Sequence, residues 1–85
     1  MRLDKYLKVS RLVKRRAVAK EMTDAGRVKI NDRVAKPSTE VNPGDILEIG
    51  FGQKACKAKV LEVKETVSKD GAKDLYQLLS GAEID

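Results

Sequence analysis

The sequence predicts an α+β domain in which two short helices precede a small, mostly antiparallel sheet. Three observations predict it. Apolar residues recur at helical spacing as far as Ala25, Gly26 then interrupts the chain, and from Val28 onward apolar and polar residues alternate between turn-forming pairs.

Leu3, Tyr6 and Leu7 stand at i, i+3 and i+4, so residues 2–9 read as a short amphipathic helix with Lys5 and Lys8 off its apolar stripe. Ser10 to Arg16 reads as a turn into a second helix over about 14–25. Val18, Met22 and Ala25 mark its expected buried stripe, while Arg16 and Lys20, four apart, project from another face. Gly26 ends the helix because glycine accepts the left-handed conformation needed just past a C-terminus.

Val28 and Ile30 then alternate with Arg27 and Lys29, Asn31-Asp32 supplies a tight turn, and Arg33 to Lys36 makes a short return. Pro37 and Ser38 break the pattern. Asn42-Pro43-Gly44-Asp45 fits a type II turn, which takes Pro second and a positive φ third. Ile46 to Phe51 is a third strand, and Gly52-Gln53 turns the chain into a longer one over about 54–65. Its Cys56, Ala58 and Val60 share one face, with Lys57 and Lys59 on the other. Residues 1–66 thus form one domain, and 67–85 read as a C-terminal extension. There, Asp74 to Leu79 could form one or two helical turns through Leu75, Leu78 and Leu79, and Ser80 to Asp85 is expected to fray.

Eighty-five residues leave no room for a second domain, and with no Trp and one Phe the core must be mainly aliphatic. The sequence points away from catalysis. It has no His, and its single Cys56 has no neighbouring base to activate it. One Cys forms neither an internal disulfide nor a structural zinc site, so Cys56 reads as a small half-buried strand residue. No cofactor and no metal are expected. No apolar run approaches the ~20 residues that span a bilayer. The first residues lack a signal peptide's apolar stretch, so the cytoplasm is the expected location.

Charge is the informative signal. Residues 1–36 hold twelve Lys and Arg against four acids, a local +8, whereas 37–85 hold six Lys against nine acids, a local −3. That asymmetry is the electrostatic footprint of a polyanion-binding face. Lys14, Arg15 and Arg16 form its densest run, near the start of the second helix, where free backbone N–H groups and the helix dipole also favour a phosphate. Arg2, Lys5, Arg11 and Lys20 lie close in sequence, and Lys29 and Lys36 could extend the patch along the sheet. Asp4 among these cations reads as their local partner, and Tyr6, on the apolar stripe, as a core residue. With so few aromatic residues, phosphate contact and shape recognition of folded RNA are expected instead of base stacking.

Five segments in order carry a resemblance. They are Arg2 to Leu7, Ser10-Arg11 with Lys14-Arg15-Arg16, Gly26 to Asn31, Lys36-Pro37-Ser38, and Val41 to Asp45. Together they resemble the RNA-binding domain named after ribosomal small-subunit protein S-four, also called the alpha-L RNA-binding motif. The chain looks like the family's stand-alone members. The segments around Val9 to Arg16 and Phe51 to Lys54 are most similar to the RqcP (YabO) proteins. The resemblance implies a role in ribosome-associated quality control. A monomer would bind ribosomal RNA of the large subunit and peptidyl-tRNA held in the P site, beside an RqcH-like tailing factor that adds alanine to the stalled nascent chain. It also implies that Arg2, Lys14, Arg15, Arg16, Lys20 and Lys29 face RNA. Asp32 is a departure, standing where the family commonly has Gly.

Three other readings compete. A heat-shock-type ribosome recycling factor would share the domain, although those relatives usually carry Trp where this chain has Tyr6. A DNA-binding regulator would use Lys14 to Ala25 as a recognition helix, but the helices are short and few side chains suited to base edges accompany the cations. A protein of anionic membrane surfaces would need a broad Leu, Phe or Trp face that these helices lack.

Overall fold

The computed structural model describes residues 1–82. Helix α1, Leu3–Val9, buries Leu3, Tyr6 and Leu7 completely, as their spacing requires. Its first N–H groups are capped by a distant loop. Leu3 donates to the Thr39 carbonyl at 2.8 Å and Asp4 to the Pro37 carbonyl at 3.2 Å. Loop 37–39 is thereby fixed against the start of α1, satisfying donors that a helix leaves open.

Past the end of α1, Arg11 takes the left-handed position with φ 61, a place usually left to glycine. The turn is tight. Arg11 N–H reaches the Lys8 carbonyl and Val13 N–H the Leu7 carbonyl, both at 3.1 Å. Leu12 and Val13 are fully buried beneath it.

Helix α2 runs Arg16–Asp24, so Lys14 and Arg15 belong to the link and not to the helix. Its buried residues are Ala19, Met22 and Thr23, with Val18 half-buried and Ala25 exposed. The apolar stripe expected through Val18, Met22 and Ala25 is therefore turned by about one position. Thr23 can face the core because its hydroxyl donates back to the Ala19 and Lys20 carbonyls at 3.0 and 2.9 Å. Ala25 lies beyond the last helical residue and does not extend the stripe. Gly26, at φ 74, makes the exit.

Five strands follow: β1 Val28–Ile30, β2 Arg33–Val34, β3 Ile46–Phe51, β4 Lys54–Val60 and β5 Tyr76–Gly81. They form one antiparallel sheet in the order β2-β1-β3-β4-β5. Asn31 and Asp32 both have positive φ, 51 and 68, so the β1–β2 turn is of the primed kind despite the Asp where glycine is usual. The Asn31 side chain locks this turn to the next, donating to Asp45 Oδ1 at 3.1 Å and accepting from Ile46 N–H at 2.9 Å. Gly44, at φ 93, holds the third place of the Asn42–Asp45 turn.

The period-2 pattern sends Val28, Ile30, Leu47, Ile49, Cys56, Ala58 and Val60 to the face covered by the helices. Cys56 is buried there, not half-buried. Each large aliphatic side chain removed from water contributes about 1.5–3 kcal/mol.

Two expectations are corrected in the C-terminal third. β4 ends at Val60, not near residue 65, and the chain to residue 70 has no regular structure apart from turns. Of Asp74 to Leu79, only Asp74 and Leu75 are helical, and Tyr76 to Leu79 are extended. A 3-10 turn, Gly71–Leu75, leads into β5, which pairs with β4 through Val60↔Tyr76, Lys59↔Gln77 and Ala58↔Leu78. The open edge of β4 offers a row of unpaired backbone groups, and an extended segment satisfies them where a helix would not. Leu75 and Tyr76 reach the core while Leu78 and Leu79 stay exposed. Residues 80 and 81 lie in β5, and residues 83–85 of the expected frayed tail lie outside the described residues.

Helix α1 and the 3-10 turn are joined directly. The fully buried Tyr6 donates its hydroxyl to the Leu75 carbonyl at 2.8 Å, which also accepts from Leu61 and Glu62 N–H groups at 2.8 and 3.1 Å. Burial, and then the neighbouring Tyr76, pushes the Tyr6 phenol well above its usual range, so it stays a neutral donor.

Candidate nucleic-acid interface

The site begins with a buried carboxylate. Asp4 has a side chain only 3% exposed, yet the two guanidinium groups beside it are about half exposed, at 53% for Arg2 and 54% for Arg16. Arg2 grips it with both prongs, Nε to Oδ1 and Nη2 to Oδ2, each at 3.1 Å. Arg16 Nη2 approaches Oδ1 at 3.9 Å, and Lys5 N–H donates to Oδ1 at 2.8 Å. A buried anion thus orients two arginines whose outer N–H groups remain turned to solvent. The two-pronged contact is directional, and the planar fork leaves further donors for a phosphate.

Arg2 also lines a groove of about 380 Å³ together with Lys20, Thr23, Asp24, Lys36, Pro37 and Ser38. Its walls are α2 and the loop that caps α1. Lys36 is held there because its own N–H donates to Thr39 Oγ1 at 2.9 Å. Arg16 and Lys20 are one helical turn apart on α2. Arg2, Arg16, Lys20 and Lys36 are therefore brought together from three separate segments. Arg15, the exposed N-cap, makes no side-chain capping bond, and the first turn of α2 contains no acid. Positive side chains crowd the positive end of the helix dipole, an arrangement that an incoming anion relieves.

The other expected residues separate from this group. Lys5 is engaged by Glu65 in an ion pair, and its hydrogen bond holds the Glu65 carboxyl below the ordinary carboxylate range. Lys29, between the buried Val28 and Ile30, points from the opposite face of the sheet, where it stands in register with Glu48. Arg11 and Lys14 line a different pocket, of about 270 Å³, together with Lys54, Lys69, Lys73 and Tyr76. The last three cations escaped the sequence reading because they come from β4 and from a segment read only as a loop and possible helix. Their one local signal, Lys69 and Lys73 four apart, looks like an ordinary solvated face.

Among the described residues, no group of three or more His, Cys, Asp or Glu side chains could hold a metal, and no helix is long and apolar enough to cross a membrane.

A family model described as the S4 domain matches residues 1–47, more than half of the chain, and those residues contain the whole of α1, the link, α2 and the capping loop. The chain belongs to the S4 domain family. This S4 domain is 53% identical over 84 residues to the "RQC P-site tRNA stabilizing factor" of Bacillus subtilis, covering 99% of this chain and 98% of that one. It is 49% identical over 85 residues to the protein of the same name from Streptococcus pneumoniae, covering 100% and 97%. Among solved structures, a trimeric structure of Vibrio cholerae Heat Shock Protein 15 superposes with a TM-score of 0.84 at 28% identity, covering 94% of this chain and 82% of that one. The S4 match stops at residue 47, so β4, the 3-10 turn and β5 lie outside it.

Proposed function

We propose that this protein is a non-catalytic RNA-binding factor of the large ribosomal subunit. On subunits stalled with a nascent chain it binds ribosomal RNA and P-site tRNA during ribosome-associated quality control. The observation that carries the reading is the Asp4-centred cluster, in which Arg2 and Arg16 are oriented from below while Lys20 and Lys36 complete the groove beside them. Near-full-length identity of about half to two proteins named for stabilizing P-site tRNA supports the choice of RNA. Binding proceeds by phosphate contact, with the groove following the shape of a folded strand. In this reading the protein is a cytoplasmic monomer, and an RqcH-like factor performs the alanine tailing while this chain holds the tRNA in place.

The test is co-sedimentation with purified large subunits carrying peptidyl-tRNA, comparing the wild-type protein with Arg16→Ala. Wild type is expected in the subunit fraction together with tRNA. The variant should bind about tenfold more weakly, as loss of one charge-assisted contact of ~1.4 kcal/mol implies, with its fold intact. Unchanged sedimentation of Arg16→Ala would remove the cluster as the binding site. The likeness to Heat Shock Protein 15 favours one second reading, a heat-shock-type recycling factor. Alanine tailing that proceeds normally in cells lacking the protein would favour that alternative.

A further inference from the structure

From the pocket between the α1–α2 link, the start of β4 and the 3-10 turn, we infer a second RNA-phosphate site, distinct from the Asp4-centred groove. The inference rests on the RNA-binding reading above and extends it to a surface that the S4 match does not reach. Five cations, Arg11, Lys14, Lys54, Lys69 and Lys73, converge on a pocket of about 270 Å³, and among the described residues no acidic side chain lines it. They come from three places in the chain, so folding and not local composition has gathered them. Asp70 and Asp74, the acids next in sequence to Lys69 and Lys73, are exposed and are not part of the lining. Concentrated positive charge of this kind focuses field on an anion.

The floor is buried and the rim is exposed. Tyr76 is 7% exposed and Ala72 is 1% exposed, and both form the base beneath long lysine side chains. Arg11 is delivered by a left-handed backbone conformation, φ 61, that most non-glycine residues avoid. Its turn is fixed by the Arg11–Lys8 and Val13–Leu7 backbone bonds and by buried Leu12 and Val13. A strained conformation kept at a charged, exposed position is a common mark of a functional site.

Size and chemistry select the ligand. The volume falls below the ~300–1,000 Å³ of pockets that enclose drug-sized molecules, but a backbone phosphate can enter a shallow basic depression. The exposed large apolar residues Val34, Leu61, Leu78 and Leu79 do not line it, which argues against an interfacial membrane contact. The phosphodiester backbone of an RNA segment other than the one in the groove fits best. With one basic surface near the start of α1 and another past its end, the domain can hold two stretches of RNA at once.

The experiment measures binding to purified large ribosomal subunits carrying tRNA, as a function of salt, for wild type, Lys69→Ala/Lys73→Ala, Lys69→Glu/Lys73→Glu and Arg16→Ala. Circular dichroism checks that the exposed lysine variants keep the fold. The Ala pair should lower the log–log salt slope by roughly 1.4–1.8, two phosphate contacts at about 0.7–0.9 each, and the Glu pair should weaken binding further. If both lysine variants match wild type in affinity and slope while Arg16→Ala weakens binding, the second site is overturned and the RNA-binding reading survives. If the wild-type protein itself fails to bind, both fall together.

Discussion

The two basic surfaces of this domain are built in opposite ways. At the start of α1, a buried carboxylate grips Arg2 with two hydrogen bonds and draws Arg16 to within 3.9 Å, so the cations are arranged before any ligand arrives. Past the end of α1, five cations surround a pocket with no acid among the described residues of its lining, and Arg11 is placed there by its left-handed backbone. An internal counter-charge stabilises the fold and pre-sets geometry, which favours a specific docking contact. A pocket in which Arg11, Lys54, Lys69 and Lys73 meet few acids does less for the fold and keeps an electrostatic attraction for a partner.

The largest expected break in this contrast comes from Asp4→Ala. It removes the acceptor for Arg2 and for Lys5 N–H together with the anion beside Arg16, and loss of a buried charged acceptor costs about 2–3 kcal/mol. Thermal unfolding should show a midpoint lowered by roughly 10 °C or more, given ~4–8 °C per kcal/mol in domains of this size. By contrast, Lys54→Ala in the second pocket should change stability by no more than the ~0.5 kcal/mol typical of exposed positions.

Next in size is Tyr6→Phe, which loses the hydrogen bond tying α1 to the 3-10 turn and should cost about 1 kcal/mol in urea unfolding. It should loosen the second pocket more than the groove, since Leu75 lies between Lys73 and Tyr76. The substitution also carries a pH signature. The folded phenol ionises above its unfolded value near 10, so its contribution is complete below about pH 10 and is lost as pH rises beyond it. Alkaline titration of stability should fall in wild type and fall less steeply in Tyr6→Phe.

Arg2→Lys tests the ordered surface more gently. It keeps the charge but loses the two-pronged grip, and should weaken binding to large subunits severalfold with little change in salt slope. The smallest effect is expected from Glu65→Gln. That change releases Lys5 without touching the core, so the melting midpoint should hold while RNA affinity rises slightly.

Much of the first half was legible because its signals are local. Leu3, Tyr6 and Leu7 declare a helix, Gly26 and Gly44 occupy positions that need positive φ, and Val28 and Ile30 declare a strand. Asp4 was legible as a partner of neighbouring cations, and the structure brings Arg2 and Arg16 to it. The second half depended on pairing that no local pattern encodes. Leu75, Leu78 and Leu79 have helical spacing, but the free edge of β4 draws residues 76–81 into a strand. Lys5 carried the right charge in the right region, and Glu65, sixty residues away, engages it. The gathering of Lys54, Lys69 and Lys73 beside Arg11 is likewise a product of topology.

The bond from Tyr6 to the Leu75 carbonyl also sets when the domain can exist during its own synthesis. Helix α1 is among the first segments made, yet the groups that bury its underside, Leu75 and Tyr76, are joined about seventy residues later. Closing a loop of that length carries an entropy cost of about 4 kcal/mol, repaid only when the late strand docks. A nascent chain halted before residue 71 should therefore be readily proteolysed, and the same chain extended past residue 81 should be protected. Until β5 emerges, the cationic segments hang on an unfolded chain, and a copy still being translated does not yet present RNA with a formed binding surface.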